Sequence, residues 1–230
     1  MRRFVRDNGL SLFFLALFVF SLGGQAIAGH SEYNDEAVAH ARLLGEPPET
    51  VSLWRYLVSS SFGQAVMENW QSEYLQFVLF IMATVWFVQR GSTESKDADQ
   101  IGRESDDEQR VGEHADADSP AWARVRGWRL ALYSNSLLLV MAAIWLGSWF
   151  AQSVTGWSDY NADQLDHEEQ PVSWLQYVGT ARFWESTLQN WQSEFLAVGS
   201  MVVFSVYLRQ RGSTQSKPVG APHHETASEG

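Results

Sequence analysis

Asn69-Trp70-Gln71-Ser72-Glu73 recurs letter for letter as Asn190-Trp191-Gln192-Ser193-Glu194, and each copy leads into an apolar run. The first run is Tyr74 to Val88 and the second Phe195 to Leu208. The fifteen residues of the first run are short for a bilayer crossing. A helix that starts at Asn69 gains the missing turns, and about 20 residues at about 1.5 Å each span the roughly 30 Å hydrocarbon core. The spacing therefore predicts spanning helices over 69–88 and 190–208, with the motif in the first turns of each.

Working outward, Trp191 lies 121 positions after Trp70, and the same offset pairs Gln89-Arg90-Gly91-Ser92-Thr93 with Gln210-Arg211-Gly212-Ser213-Thr214. It also pairs Ser95-Lys96 with Ser216-Lys217. Upstream the offset is 127, matching Asn8 with Asn135, Ser21 with Ser148, Gln25 with Gln152 and Tyr33 with Tyr160. The second copy's loop is thus six residues shorter (127 less 121). A match through two apolar blocks and their loop predicts a tandem duplication.

The earlier block of the first copy runs from Leu10 to Ala28 behind Arg2, Arg3 and Arg6. Its nineteen residues suffice for a crossing. A basic start, an apolar middle and Ala26-Ile27-Ala28 before Gly29 also fit a cleaved signal peptide. Against cleavage stands the matching block, Ser136 to Thr155, which is far from any N-terminus. Acidic stretches then read as loops, one over 30–49 ending in Pro47-Pro48, the other carrying Asp159, Asp163, Asp166, Glu168 and Glu169. Each is followed by a short mixed segment, Val51 to Val58 and Val172 to Val178, that reads as an interfacial helix. Asn8 and Asn135 read as caps or interhelical hydrogen-bond donors, and Gly91 as a helix stop behind Arg90.

Composition agrees with this segregation. The 230 residues carry a net charge of −11, eleven tryptophans, several at block edges, and no cysteine. Indole rings favour the headgroup level. Disulfides and thiolate chemistry are excluded, and nothing resembles a basic nucleic-acid-binding patch. Residues 92–120 hold ten acidic and three basic side chains and few large apolar ones, a composition that predicts disorder.

The domain reading is a first repeat over 1–91, an acidic linker over 92–121, a second repeat over 122–218 and a disordered tail over 219–230. The spans fall near 10–28, 69–88, 134–155 and 190–208. The fold class is an all-α membrane protein: four transmembrane helices from a parallel duplication of a two-helix unit, with short interfacial helices on the outer face. Arg2, Arg3, Arg6, Arg90, Arg124, Arg126, Arg129, Arg209, Arg211 and Lys217 all flank one side. The positive-inside rule makes that side, and both termini, cytoplasmic.

Asn8-Gly9-Leu10-Ser11, the twice-repeated Asn-Trp-Gln-Ser-Glu and the Gln-Arg-Gly-Ser-Thr exits resemble a bacterial integral membrane family catalogued as a domain of unknown function. The resemblance covers nearly the whole chain except linker and tail. It implies a bacterial inner-membrane setting and brings no activity, cofactor or catalytic residue with it.

The candidate polar site is therefore Asn69, Trp70, Gln71, Ser72 and Glu73 with Asn190, Trp191, Gln192, Ser193 and Glu194. On a helix Asn69 and Glu73 share a face, so Asn69, Trp70 and Glu73 are expected to face Asn190, Trp191 and Glu194 across the repeat axis. A functional reading binds an ion, a proton or a small cation between the two carboxylates. The structural alternative makes Asn69 an N-cap, sets Glu73 at the positive end of the helix dipole and anchors Trp70 at the interface. Arg90 and Arg211 are candidate lipid-headgroup contacts, or simply topology signals. His30, His40 and His167 lie in outer loops and His223-His224 in the tail, so no metal site, haem or other cofactor is assigned. No nucleophile elbow, phosphate loop, paired-histidine zinc motif or dinucleotide fingerprint occurs, and no residue is assigned a catalytic role.

Three readings follow. One is an assembly or interaction protein whose acidic linker recruits a protein partner. Another is a small transporter or ion-coupled protein using Glu73 and Glu194 as a homodimer, and a third is a quinone or haem redox enzyme. The bilayer itself is the first expected partner.

Overall fold

The structure, a computed structural model, describes residues 2–226. Met1 and 227–230, the end of the expected disordered tail, lie outside the described residues. Among the described residues there are eight α-helices and no strand. They are α1 (Arg2–Asp7), α2 (Gly9–Leu44), α3 (Leu53–Leu57), α4 (Ser60–Trp86), α5 (Trp128–Ser134), α6 (Ser136–Asp166), α7 (Trp174–Val178) and α8 (Ala181–Tyr207). Residues 92–121 hold short 3-10 turns, Ala98–Gln100 and Gly112–His114, with a third, Ala121–Arg124, at their end.

Two helices, α2 and α6, are long and apolar enough to cross a membrane. The expected spans 10–28 and 134–155 fall on them, the latter beginning at the last residue of α5. Helices α4 and α8 are not among them, and each carries a copy of the polar motif within its length.

The helices are longer than expected. Of the acidic stretch over 30–49, only the part from Gly45 onward is a loop. Helix α2 continues through the rest to Leu44 and ends where Gly45 takes φ +71 and its N–H reaches the Ala41 carbonyl. Ala37, Ala39, Ala41, Glu32, Glu36 and Arg42 are all good helix formers, so polarity here marks exposure and not a break. Helix α6 likewise runs through Asp159 and Asp163 to Asp166. The starts of α4 and α8 also come earlier. Ser59 Oγ accepts from Phe62 N–H at 3.2 Å, and Thr180 Oγ1 accepts from Phe183 N–H at 3.3 Å. These are the N-caps. Asn69 and Asn190 therefore lie well inside their helices and cap nothing.

Asn8 and Asn135 both stand at helix ends. Each carboxamide donates backwards, Asn8 to Phe4 O at 2.9 Å and Asn135 to Ala131 O at 2.7 Å, at the breaks between α1 and α2 and between α5 and α6. Asn8 stands at the N-cap of α2 without a side-chain bond to it and Asn135 at the C-cap of α5, so both are caps by position, and each carboxamide serves the last turn of the short helix before it. Gly91 and Gly212 are not helix stops, since α4 already ends at Trp86 and α8 at Tyr207. They take φ +87 and +81 as third residues of tight turns closed by Ser92 N–H to Gln89 O and Ser213 N–H to Gln210 O.

The chain divides into two compact units. One comprises Met1–Val66 with Gln152–Trp174, the other Met67–Ala151 with Leu175–Gly230. In the first, Tyr56 of α3 is 6% exposed and its ring packs on His30, Tyr33 and Phe62 at 6.0, 5.6 and 5.4 Å. Gly29 leaves room for the Tyr56 hydroxyl, which a Cβ there would strike. Asn34 holds the entry to α3, its Oδ1 accepting from Val51 N–H at 2.7 Å and its Nδ2 donating to Val51 O at 3.0 Å. Asn161 does the same to Val172, at 2.8 and 3.0 Å.

In the second unit, Trp149 lies against Trp145, Phe183, Trp184 and Trp191, with ring centroids between 5.8 and 6.4 Å. At the other end of α4, Ser92 and Ser205 hydroxyls bond at 2.9 Å in a buried position. Ser95 Oγ accepts from Gln89 N–H at 2.8 Å, and Ser216 Oγ accepts from Gln210 N–H at the same distance. Lys217, 1% exposed, donates to the carbonyls of Pro222, His223 and Glu225.

Candidate functional site

Both copies of the motif fall in the second unit, midway along helices whose caps lie nine and more residues upstream. A helix advances about 100° per residue, so residues three and four apart share a face. On α4 the buried face passes through Gln71, Ser72, Leu75 and Val78, which are 0%, 1%, 5% and 6% exposed. On α8 it passes through Phe183 and Thr187, 2% and 0% exposed, and reaches half-buried Asn190, Trp191 and Glu194.

The same five letters therefore turn different sides inward, about half a helical turn apart. Trp191 Nε1 donates to Gln71 Oε1 at 2.7 Å, and Asn190 Nδ2 donates to Glu68 Oε1 at 2.9 Å. Asn190 also donates to Ser186 O at 2.9 Å, and Gln71 Nε2 to Glu68 O at 3.1 Å. Gln71 thus buries a carboxamide with both ends bonded, which removes the cost of burying it. Trp191 is held from its other side by Trp149 at 5.8 Å.

Asn190 and Trp191 bond Glu68 and Gln71 rather than the expected Asn69 and Trp70. The second copy offers donors, Asn190 and Trp191, and the first offers acceptors, Glu68 and Gln71. Asn69 and Glu73 are exposed, Trp70 is half-buried, and Gln192 and Ser193 are exposed. Ser72 and Ser193 each donate to the carbonyl three residues back, at 2.9 and 2.8 Å. The physical reason is rotational: two identical faces that both offer Asn and Trp are rich in donors, whereas donor against acceptor satisfies both.

Glu68 was not singled out by sequence because it lies one letter before the identity, where the second copy has Gln189. Its spacing of three from Gln71 is the signal that could have found it. Asn34 and Asn161 were also missed, though they stand next to the matched Tyr33 and Tyr160 at the same offset of 127. Arg90 and Arg211 are exposed at the third-last position of their turns. Among the described residues, no group of three or more His, Asp or Glu is placed to hold a metal.

Outside the helices, Glu94 is partly buried beside the first exit turn, and its N–H bonds Ser92 Oγ at 3.1 Å. Burial pushes its carboxyl above the ordinary glutamate value.

No curated protein and no solved structure matches the chain. A family model described as a domain of unknown function, DUF6766, matches residues 1–228. That match takes in both copies of the motif, the linker and almost all of the tail, and by it the chain belongs to the DUF6766 family.

Proposed function

We propose that this protein crosses the bilayer four times as two tandem helical hairpins, with both termini cytoplasmic, and works in assembly or interaction and not in catalysis. The observation that carries this is the polar seam of Trp191 with Gln71 and Asn190 with Glu68. It consumes the motif's most specific side chains in holding one helix to another, which is how polar residues are used inside transmembrane bundles. Two apolar helices, α2 and α6, support the membrane setting. The duplication is supported by bonds that recur at the sequence offsets: Asn34 to Val51 and Asn161 to Val172, Gln89 to Ser95 and Gln210 to Ser216. A bacterial inner membrane is the setting, and the acidic linker is the surface for a protein partner.

Reconstituted in liposomes, the protein conducts no ions or protons, and Glu73→Gln with Glu194→Gln leaves its cellular phenotype intact. Deleting residues 95–118 changes the proteins that co-purify from native membrane. Flux abolished by the two glutamine substitutions would replace this reading with ion-coupled transport. That second reading takes Glu73 and Glu194, the carboxylates of the two copies of the motif, as the ion-coupled pair.

A further inference from the structure

The two Gln-Arg-Gly-Ser-Thr turns are followed by Ser95-Lys96 in the first copy and Ser216-Lys217 in the second. Beyond each lysine the chain folds back onto the end of its own helix. Gly102 N–H reaches Val85 O at 2.8 Å, and the His223 ring meets Val206 O through Nδ1 at 3.1 Å, on carbonyls 121 positions apart. The lysines hold these folds. Lys96 donates to Gly102 O at 3.3 Å and pairs with Glu104 at 2.6 Å. Lys217 is 1% exposed, and its ammonium donates to Pro222, His223 and Glu225 carbonyls at 3.1, 3.0 and 2.9 Å. Those three acceptors use all three of its donor hydrogens.

The second fold-back reaches further than the first, because it crosses to the other copy. Thr226 Oγ1 accepts from Gly91 N–H at 3.1 Å. A Cβ on Gly91 would fall 2.0 Å from His223 O, so glycine is what admits the tail there. The equivalent glycine, Gly212, has nothing within 4 Å of its Cβ position. The first exit turn is thus covered and the second is bare. Little apolar surface holds the cover in place, since Val219, the one branched aliphatic side chain in 218–226, is 55% exposed. A segment closed by polar bonds that water can replace opens at low cost and without unfolding the helices beneath it.

We infer that residues 218–226 form a strap that opens and closes over the first exit turn, with Lys217 as its lock. Closed, it ties the end of α8 to the turn that follows α4. Open, it bares Gln89 to Thr93 as Gln210 to Thr214 are bare already. The strap lies outside the helices, so it works in the same way on either side of a membrane.

Lys96 and Lys217 are the two lysines of the chain, so amine labelling reads the lock directly, with Lys96 as the internal standard. In the full chain in detergent, a succinimidyl ester modifies Lys217 on the order of tenfold more slowly than Lys96, each site quantified by peptide mass. Gly91→Ala, and separately removal of residues 219–230, raise the Lys217 rate to that of Lys96 while circular dichroism stays helical. Gly212→Ala carries a similar left-handed strain, at φ +81 against +87, yet leaves Lys217 protected. Should Gly91→Ala fail to accumulate, Thr226→Val removes the acceptor of the Gly91 N–H and is read in the same way. Equal rates in the parent overturn the lock. A Lys217 still protected in Gly91→Ala or Thr226→Val overturns the cover over the first turn. Loss of helix on truncation makes the tail part of the fold and overturns the strap.

Discussion

The Asn34 side chain closes a ring on the backbone of Val51, accepting its N–H at 2.7 Å and donating to its carbonyl at 3.0 Å. A carboxamide presents the same donor and acceptor pair as a peptide, so it stands in for a neighbouring strand where the chain has none. That is how an extended stretch after Pro47-Pro48 is tied to the side of α2. Replacing Asn34 with Ala leaves the Val51 N–H without its partner and lowers unfolding free energy by about 1–3 kcal/mol. Asn161→Ala, which frees Val172, does the same. Thermal melts of the two variants in detergent check this, and melting points equal to the parent's would contradict it.

Trp191 and Gln71 should be energetically coupled. Trp191→Phe keeps the ring and removes the donor, leaving Gln71 Oε1 buried and unpaired. Gln71→Leu removes the acceptor. Each single change destabilises, and the double variant loses less than the two together, by about 0.6–1.7 kcal/mol if the bond behaves as others within membrane bundles do. Additive losses in a double-mutant cycle would show that the bond contributes nothing specific.

Gly29 and Tyr56 form a size constraint. A Cβ at residue 29 would overlap the Tyr56 hydroxyl, and Tyr56 is only 6% exposed, so the ring has little room to withdraw. Gly29→Ala should lower the melting point even though alanine is the better helix former. Adding Tyr56→Phe removes the colliding oxygen and restores much of the loss. Failure of the rescue, read from the same melts, would mean that the strain lies elsewhere.

Glu94 gives a pH signature. Its carboxyl titrates above the ordinary value in the folded chain because of burial, so the folded state binds the proton more tightly than the unfolded one. Its contribution to stability is full below the unfolded value and is lost as pH rises through the folded value. Glu94→Gln should therefore melt higher than the parent at pH 7, with the gap closing as pH falls below the ordinary glutamate range. A gap that is constant with pH would exclude the carboxyl as its cause.

Much of the helical architecture is legible in the sequence. The apolar blocks fall on long helices because a run of some twenty apolar residues has few other ways to bury its peptide groups. The short helices after the prolines were also readable, α3 within Val51 to Val58 and α7 within Val172 to Val178. Helix ends were not. Glu32, Asp35 and Glu36 look like loop by polarity, but polarity reports solvent and says little about backbone shape. Asn69 looked like a cap because it precedes an apolar run, while the true cap, Ser59, is an ordinary serine upstream. The rotation of the two motifs could not be read at all. Which side of a helix turns inward depends on what the neighbour offers, and five identical letters carry no information about that.

The seam between α4 and α8 also acts as a ruler. Its acceptors are one turn apart on one helix, at Glu68 and Gln71, and its donors are adjacent on the other, at Asn190 and Trp191. Sliding either helix by a single residue, about 1.5 Å, would stretch both bonds at once. Sliding of these helices past one another is therefore resisted. Whatever this protein transmits or holds, it does so with these two helices held in one register.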